Sequence, residues 1–394
     1  SLLRSRIRAF GLALPLLAFL IVGFIVPIST LLINSVYDAR FSNYMTNLTP
    51  LLDSWNGLDA PSEEMYSALV ADLIINGKNK TTGKVAIRVN RELSGTRSLF
   101  TSTARKAKNM KEPFKEAVIK RKKRWEDIEV WQAMKVASKR YTIGHIIKSF
   151  DLKLTADGKI VRQPEERRIH LMLFLRTLEI SAVVTIACLF LGYPIAYLMA
   201  SLNSKSANLL LISVLLPFWT SLLVRTTAWI AMLQAQGVMN DLFVLFGITS
   251  DEQRFSLIYN KTGTLIAMTH ILLPFMILPI YSVMKTISPS YVKAAKSMGA
   301  TGFTAFWRVY APQTIPGIGA GGLLVFILAI GYYITPALVG GQDGLMISNI
   351  IDFHMRSTLN WNFAAALGLV LLIFVLFMFW IYDRLVGIDN MKLG

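Results

Sequence analysis

Long apolar segments alternate with polar stretches along most of this 394-residue chain. The apolar segments lie near residues 10–33, 171–201, 207–233, 262–285, 316–339 and 363–386. Each is long enough to cross the roughly 30 Å hydrocarbon core of a bilayer as a helix. The pattern therefore predicts an all-α membrane protein with six transmembrane helices.

The first apolar segment follows three basic residues, Arg4, Arg6 and Arg8. It is too long for the apolar region of a secretory signal peptide, and it lacks the small residues of a cleavage site. We therefore expect residues 1–33 to form a cytoplasmic N-terminus and a first membrane-anchoring span rather than a removed leader.

Residues 34–170 form a polar segment that is far longer than a connection between two spans requires. The segment holds 26 Lys and Arg against 16 Asp and Glu, an excess of ten positive charges. Apolar positions recur at helical spacing over residues 62–75 and 113–139, and a turn signal predicts a small hairpin over residues 154–161. We expect an α-rich insert that folds outside the membrane.

A second polar stretch, residues 288–312, separates the fourth and fifth apolar segments. Ser288 is suited to cap a helix N-terminus, and Gly299 is suited to the left-handed position that follows a helix. Thr301 is placed to cap a second helix, and Pro312 is placed to end it. The stretch is therefore predicted to form two short helices joined by a tight turn.

Both short helices have an apolar face. In the first helix, the residues expected to dock are Tyr291, Val292, Ala294, Ala295 and Met298, and the opposite side holds Lys293, Lys296 and Ser297. In the second helix, an unbroken aromatic stripe is predicted from Phe303, Phe306, Trp307 and Tyr310. Periodicity alone leaves open an amphipathic loop that lies at the membrane interface.

The same stretch resembles the EAA signature of the ABC importer permeases. The matching positions are Lys293, Ala294, Ala295, Gly299, Val309, Ala311 and Pro312. In that family the signature forms cytoplasmic coupling helices, which seat in a groove of the ATPase subunit. The resemblance implies that the coupling residues here are Tyr291, Lys293, Ala294, Ala295, Met298, Gly299, Ala300 and Phe306. Lys293 stands where the signature usually has glutamate.

The resemblance extends over about residues 171–387, to the spermidine/putrescine and opine branch of these permeases. The matching segments are Arg176-Thr177-Leu178, residues 192–197, residues 216–220 with Arg225, residues 237–240, Leu273-Pro274-Phe275, Gly340-Gly341 and residues 361–365. It implies one permease subunit of a type I ABC importer, with no chemistry of its own. Residues 34–170 have no counterpart in the short members of this branch.

The resemblance also implies a hetero-oligomer. Its other members would be a second homologous permease, two copies of an ATPase subunit that binds ATP and Mg, and a periplasmic substrate-binding protein. In this chain we expect no catalytic residues, no cofactor and no metal. The solute would be small and polar; polyamines, opines, amino acids and phosphonates are all compatible with the branch.

The net charge of +17 would favour nucleic acid as a partner of a soluble protein, but the mean hydropathy of +0.49 is typical of a membrane protein. We expect a bacterial inner-membrane location, contact with lipid and no nucleic-acid partner. The short loops divide into a basic set and an acidic set. By the positive-inside rule, the termini, including the tail 388–394, and residues 288–312 are predicted to be cytoplasmic, and the insert periplasmic.

Arg225 lies deep in the third apolar segment, where an arginine costs about 2.5–3.5 kcal/mol on insertion scales. We interpret it as a residue of the translocation path; a structural role at a helix break stays open. Aromatic faces attract cations, which makes the aromatic residues nearby further candidates for the path. The further path candidates are Trp219, Trp229, Tyr281, Tyr332 and Tyr333, together with Thr220 beside Trp219. His270 is expected to form an interhelical hydrogen bond, and Arg176 is expected to pair with Glu179, three residues away.

Two other classes of function remain as alternatives. A self-sufficient secondary transporter would need repeated halves and midplane carboxylates, which the sequence lacks. A membrane enzyme or sensor would need a catalytic constellation, and the insert offers only His145 and scattered carboxylates. The single cysteine, Cys188, excludes a disulfide framework. No GxxxxGK[ST] loop is present, so ATP hydrolysis is not expected in this chain.

Overall fold

The computed structural model describes residues 2–386 of the chain, with side chains described from residue 11 to residue 384. The side chains of Arg4, Arg6 and Arg8, and the tail 388–394, lie outside the described residues. The chain divides into two compact units. One consists of residues 1–169 with 359–370, and the other of residues 170–358 with 371–394.

The first unit is mostly helical. Its helices are α1 Leu2–Leu20, α2 Val26–Val36, α3 Leu48–Ser54, α4 Glu63–Lys78, α5 Thr82–Asn90, α6 Thr96–Ala104, α7 Phe114–Arg121, α8 Ile128–Ser138 and α9 Gly144–Ser149. A π-helical turn joins α1 to α2. Strands β1 Leu152–Leu154 and β2 Ile160–Arg162 pair antiparallel, with Leu152 opposite Arg162. The hairpin therefore lies where the sequence predicts it, and Gly158 supplies the left-handed residue of its turn.

The helical pattern over residues 113–139 is not one helix, because a 3₁₀ turn at Lys123–Glu126 separates α7 from α8. The division brings Trp125 and Trp131 into one core, where both are fully buried with ring centroids 6.1 Å apart. The indole of Trp125 donates a hydrogen bond to the Thr103 hydroxyl, and that of Trp131 donates to the carbonyl of Trp125, each at 2.9 Å. Both large rings are thus buried with their polar groups satisfied.

A cluster of buried charges lies in the same unit. Arg88 Nε is 3.1 Å from Asp38 Oδ2, Arg88 Nη1 is 2.5 Å from Glu92 Oε1, and Lys148 Nζ is 2.7 Å from Glu92 Oε2. Burial by itself would raise the pKa of both carboxyls. Nearby His145 and the charge of Arg88 nevertheless hold the pKa of Asp38 well below its usual range, and Lys148 and Arg88 lower the pKa of Glu92 to about 2. Both carboxylates are therefore charged in the folded protein.

The start of the last apolar helix is bonded to the end of the first apolar segment. The side-chain amide of Asn362 donates to the carbonyl of Asn34 at 2.9 Å and to that of Tyr37 at 2.8 Å. Arg40 in turn donates to the side-chain carbonyl of Asn362 and pairs with Asp38 at 2.6 Å. Asn362 thus satisfies backbone groups where α2 ends and joins that end to the buried charge cluster.

The second unit is also helical. Its helices are α10 His170–Ser201, α11 Ser204–Leu215, α12 Leu222–Leu233, α13 Val238–Leu245, α14 Lys261–Thr286, α15 Pro289–Ser297, α16 Gly302–Ala305, α17 Ala311–Gln313, α18 Ile315–Gly331, α19 Ile334–Val339, α20 Ile347–Arg356 and most of α21 Trp361–Val386. Helices α10, α14 and α18 form its packed core. Gly317 allows the close approach of α18 to α14, since a Cβ there would lie 3.0 Å from the Ile280 Cα.

Among the described residues, four helices are long and apolar enough to cross a membrane: Gly11–Val36, His170–Ser201, Lys261–Thr286 and Trp361–Arg384. Two bent pairs also qualify if each is counted as one span: Ser204–Trp219 with Leu222–Leu245, bent by 96°, and Gly302–Gln313 with Ile315–Gly331, bent by 57°. The described residues therefore hold up to six spans, which is the predicted number.

The third predicted span is not one straight helix but a pair of helices joined by a sharp bend. The chain turns sharply between Trp219 and Leu222. Ser221 begins the next helix as its N-cap, with its hydroxyl accepting from the Val224 amide at 3.2 Å. Pro217 precedes the turn, and it has no amide hydrogen with which to continue the α-helical bonding.

The predicted ion pair between Arg176 and Glu179 is wrong. Arg176 Nη1 instead donates to the carbonyl of Gln342 at 2.8 Å, and Glu179 pairs with Lys261 at the start of α14. Both side chains reach a neighbouring segment, and these contacts replace the local pair.

Candidate functional site

The coupling segment, which we define as residues 288–312, folds as predicted around its turn. The hydroxyls of Ser288 and Thr301 each accept a hydrogen bond at 3.3 Å from an amide in the first turn of the helix that follows. Between the two helices, Gly299 has φ +91°, a conformation that side chains with a Cβ rarely adopt. The two caps and this glycine fix the tight turn between α15 and α16.

Only part of the apolar face of α15 is covered by this chain. Ala295 is buried and Val292 is half-buried, whereas Tyr291 and Met298 are 55% and 83% exposed. The other predicted coupling residues here are Lys293 and Ala294, which are exposed, and Ala300, which is half-buried. The face expected to dock is therefore largely open, although the short helix packs against the next turns of its own segment.

The aromatic stripe of the second short helix runs through a π-helical turn. Residues 306–310 form a π-helical turn, in which the Ala311 amide bonds to the Phe306 carbonyl. Phe306 and Tyr310 stack, and both contact Tyr197 of α10, with ring centroids 5.4 and 5.5 Å away. The stripe is continuous as predicted, because the Trp307 ring contacts those of Phe303 and Phe306 edge to face, with centroids 6.2 and 5.3 Å away. Phe306 and Tyr310 also fasten the segment to α10.

The remaining large side chains of the segment point away from the chain's own core. Phe303 is 75% exposed and Trp307 is 58% exposed. With Tyr291 and Met298 they form what we call the coupling surface. Four large apolar side chains exposed on one short segment are typical of a protein interaction site.

The sequence predicts that the helix ends at Pro312, but α17 continues to Gln313. The break falls at Thr314, where the chain bends by 57° into α18. Pro312 occupies an early position of α17, which tolerates the absence of an amide hydrogen. The Thr314 hydroxyl lies 3.3 Å from that of Tyr193 and joins the break to α10.

The fifth predicted span is interrupted at Tyr332 and Tyr333, between α18 and α19. The carbonyl of Tyr332 accepts a hydrogen bond from the Ser348 hydroxyl at 2.5 Å, and that of Tyr333 accepts from the Asn349 amide group at 2.7 Å. A buried backbone carbonyl without a hydrogen bond is costly. The two polar side chains of α20 therefore stabilise the break.

Arg225 lies on α12, beside this break. The next residue, Thr226, contacts Thr335 of α19 through its hydroxyl at 3.4 Å, and Arg225 itself is within electrostatic range of Tyr332 and His270. Its Nε is buried and has no hydrogen-bond partner among the described residues. A buried guanidinium donor without a partner needs one from outside these residues.

One turn further along α12, Trp229 reaches α14. Its indole Nε1 donates to Nδ1 of His270 at 3.1 Å, and the two rings meet edge to face at 5.3 Å. His270 thus forms the interhelical hydrogen bond expected from the sequence. Because Nδ1 accepts this bond, the imidazole in this arrangement is neutral and carries its proton on Nε2.

We define the path cluster as Arg225, Trp229, His270, Tyr332 and Tyr333. Arg356 of α20 borders it, donating to the Tyr333 hydroxyl at 3.1 Å and pairing with Asp352 at 2.6 Å. The cluster offers a cation, an indole, an imidazole and two phenols. The sequence reasoning missed Arg356, Ser348 and Asn349; the signal that could have found them is the amphipathic pattern of residues 347–356.

Three predicted path residues lie apart from the cluster. Trp219 is 77% exposed at the turn before α12, and the adjacent Thr220 donates its hydroxyl hydrogen bond to the Pro217 carbonyl at 2.8 Å. Tyr281 is packed in the core of α10, α14 and α18, with Lys285 Nζ 5.6 Å from its ring centroid. Within residues 2–386, no group of three or more His, Cys, Asp and Glu side chains could hold a metal ion.

Comparison with known proteins defines the class. The profile described as "binding-protein-dependent transport system inner membrane component" matches residues 192–387. The spermidine/putrescine transport system permease protein PotB of Haemophilus influenzae is 35% identical over 216 residues, which cover 55% of this chain and 75% of PotB. PotB of Escherichia coli is 33% identical over 224 residues, covering 57% and 81%.

A solved structure described as a bacterial alginate ABC transporter, in complex with an alginate pentasaccharide-bound periplasmic protein, also matches. The identity is 18%, the TM-score is 0.47, and the match covers 59% of this chain and 82% of that chain.

The family profile and the PotB relatives define an ABC importer permease, a multi-pass protein of the inner membrane. The chain belongs to the family of binding-protein-dependent transport system inner membrane components, in the branch that contains the spermidine/putrescine permeases. The resemblance seen in the sequence is thereby confirmed, as is the all-α membrane class. Members of this family are non-catalytic subunits, and ATP hydrolysis lies in a separate ATPase. The insert, residues 34–170, is not covered by the family profile.

Proposed function

We propose that this permease imports a small polar solute past the path cluster by alternating access. The observation that supports this most is the break between α18 and α19 at Tyr332 and Tyr333, beside Arg225 with its unpartnered buried Nε. Irregular backbone at membrane depth is tolerated where it is buried in protein or lines a cavity, and a buried charge in a span marks a functional pathway by default.

The solute that we propose is polyamine-, opine- or amino-acid-like. The names of the relatives, which are spermidine and putrescine permeases, favour an amine. The indole of Trp229 and the phenols of Tyr332 and Tyr333 offer aromatic faces to an ammonium group. The phenol hydroxyls can also accept hydrogen bonds from it.

We further propose that the coupling surface seats in the ATPase subunit, which binds ATP and Mg. Tyr291, Met298, Phe303 and Trp307 are exposed here and would be covered there, whereas Phe306 and Tyr310 transmit movement to α10 through Tyr197. Lys293 is exposed beside this surface, and it would meet an acidic residue of the ATPase in place of the usual glutamate contact. In this proposal the coupling segment and both termini lie in the cytoplasm.

The complete importer in this proposal contains a second homologous permease, two ATPase copies and a periplasmic binding protein. The insert, residues 34–170, would dock the binding protein. Five consecutive residues from Lys120 to Arg124 are all basic and all exposed, and this side of the insert would attract an acidic surface. Such attraction is screened by salt.

The test of the path is uptake by the reconstituted importer in proteoliposomes. The solute is radiolabelled spermidine, or the solute that native mass spectrometry finds on the isolated binding protein. We expect Arg225→Ala to reduce uptake at least tenfold with an unchanged amount of assembled complex. Arg176→Ala is the matched control, since Arg176 bonds a loop carbonyl away from the cluster. Full uptake by Arg225→Ala would contradict the path assignment.

A further inference from the structure

A polar cleft in the insert is separate from the path cluster and the coupling surface. It has a volume of about 420 Å³ and lies between α4, the start of α5, α6 and the short turn that follows α6. The residues that line it are Ile74, Gly77, Lys78, Thr82, Thr101, Ala104, Arg105 and Lys108.

The charges of this cleft have one sign. Lys78, Arg105 and Lys108 line it, and no carboxylate does. Within residues 2–386 none of these three cations takes part in an ion pair, although the same unit contains paired lysines and arginines elsewhere. Three cations that converge on one concave surface repel one another, and an anion between them would relieve that repulsion.

The N-terminus of α5 opens onto the same cleft. Thr82 is the first residue of this nine-residue helix, and it is buried, with only 8% of its surface exposed. The first amides of a helix have no partner within it, and they carry the positive end of the helix dipole. The cap residue Thr81 supplies no side-chain hydrogen bond to them.

The Thr82 hydroxyl gives a second and independent indication of a ligand. It is buried and has no hydrogen-bond partner among the described residues. Buried hydroxyls in proteins nearly always form a hydrogen bond. The surrounding side chains offer none to Thr82, so its hydroxyl is available to a ligand. Across the cleft, the Thr101 hydroxyl is already used, because it donates to the carbonyl of Arg97 at 3.1 Å.

We propose that this cleft binds an oxyanion of the phosphate class. Helix N-termini bind phosphate through free amides, Arg105 can bond two phosphate oxygens at once, and Lys78 and Lys108 add charge. The Thr82 hydroxyl provides the remaining contact. The phosphate belongs either to a small solute on that side of the membrane or to a lipid headgroup. Its binding orders the ends of α4, α5 and α6 against one another.

The test uses the full-length chain in nanodiscs of phosphatidylcholine, titrated with inorganic phosphate by calorimetry. We expect Arg105→Gln with Lys108→Gln to weaken binding at least tenfold. The matched control removes the same charge from Lys106 and Lys111, which are exposed but do not line the cleft. Thr82→Val should weaken binding as well, and Thr82→Ser, which keeps the hydroxyl, should restore it.

A parallel arm distinguishes the source of the phosphate. Hydrogen exchange of residues 78–84 and 101–108 is compared in nanodiscs with and without phosphatidylglycerol. Slower exchange with phosphatidylglycerol alone assigns the site to a lipid headgroup, and slower exchange with inorganic phosphate assigns it to a solute. If neither ligand binds, or the control pair weakens binding as much as the cleft pair, the proposal is overturned. Protection that appears only with the binding protein present would also overturn it, because the cleft would then recognise a protein.

Discussion

The side-chain amide of Asn362 donates a hydrogen bond to the carbonyl of Tyr37 at 2.8 Å, although the two residues are 325 positions apart in the chain. The bond joins the start of the last apolar helix to the end of the first apolar segment. The same amide donates to the Asn34 carbonyl at 2.9 Å, and Arg40 donates to the side-chain carbonyl oxygen of Asn362. Asn362 is therefore the residue through which the buried charge cluster of the insert reaches a membrane-spanning helix.

This relationship predicts the effect of Asn362→Ala. Two largely buried backbone carbonyls and the Arg40 guanidinium would lose a partner, and each unsatisfied group costs about 1–3 kcal/mol. We expect a clear fall in the melting temperature of the purified permease. Asn79→Ala is the control, because Asn79 is exposed at the end of α4. Equal melting temperatures for the two variants would show that the Asn362 contacts are not stabilising.

The charge cluster makes stability depend on pH through His145. Burial lowers the pKa of His145 below its usual value of 6.5, and nearby Asp38 only partly opposes this. The unfolded chain therefore binds more protons than the folded one between the lowered pKa and 6.5, and stability falls as the pH drops through that window. Each pKa unit corresponds to about 1.4 kcal/mol.

We therefore expect His145→Gln to lose less stability than the wild type between pH 7.5 and pH 5.5. Chemical unfolding of the full chain at the two pH values measures this difference. His354→Gln serves as the control, since His354 lies on α20 in the other unit. If His145→Gln and the wild type show the same pH dependence, the histidine does not determine it.

In the coupling segment, different aromatic residues are expected to affect ATPase binding and the stability of the permease. Trp307 is exposed and Phe306 packs on Tyr197, so we expect Trp307→Ala to weaken ATPase binding at least tenfold without changing the melting temperature of the permease. Phe306→Ala should lower the melting temperature instead. Surface plasmon resonance against the ATPase subunit and thermal unfolding give the two readings. Undiminished ATPase binding by Trp307→Ala would remove Trp307 from the interface.

The turn of this segment should depend on its glycine. Gly299 and Gly302 both have open space where a Cβ would be, but only Gly299 has a positive φ. Gly299→Leu therefore opposes the left-handed turn, at about 1–2 kcal/mol, whereas Gly302→Leu does not. We expect transport to fall in the first variant and much less in the second, with both complexes assembled. Equal transport by the two variants would mean that the turn conformation is unimportant for coupling.

Local chemistry explains why much of this fold could be predicted. The caps at Ser288 and Thr301 and the left-handed Gly299 depend on residues within a few positions, and each lies where the sequence indicates. The family signature identified the class of protein because its small residues and spacing lie within one short segment.

Long-range contacts explain what could not be predicted. The hydrogen bond between Trp229 and His270, and the one between Asn362 and Tyr37, join residues far apart in the chain, and periodicity does not reveal such partners. The contacts of Phe306 and Tyr310 with Tyr197 are of the same long-range kind. Tyr281 and Tyr332 look alike in sequence and both contact the core of α10, α14 and α18, but Tyr281 is buried within it, whereas Tyr332 lies at the break after α18.

The most direct test of the central proposal is the accessibility of the path cluster in two states of the transport cycle. A cysteine at position 332, in a Cys188→Ser background, is labelled from outside with a small membrane-impermeant thiol reagent. The complete importer is reconstituted in liposomes with its binding protein. We expect labelling to be at least several-fold faster when ATP and vanadate trap the complex than in the resting state without nucleotide. Equal labelling rates in the two states would contradict alternating access at this cluster.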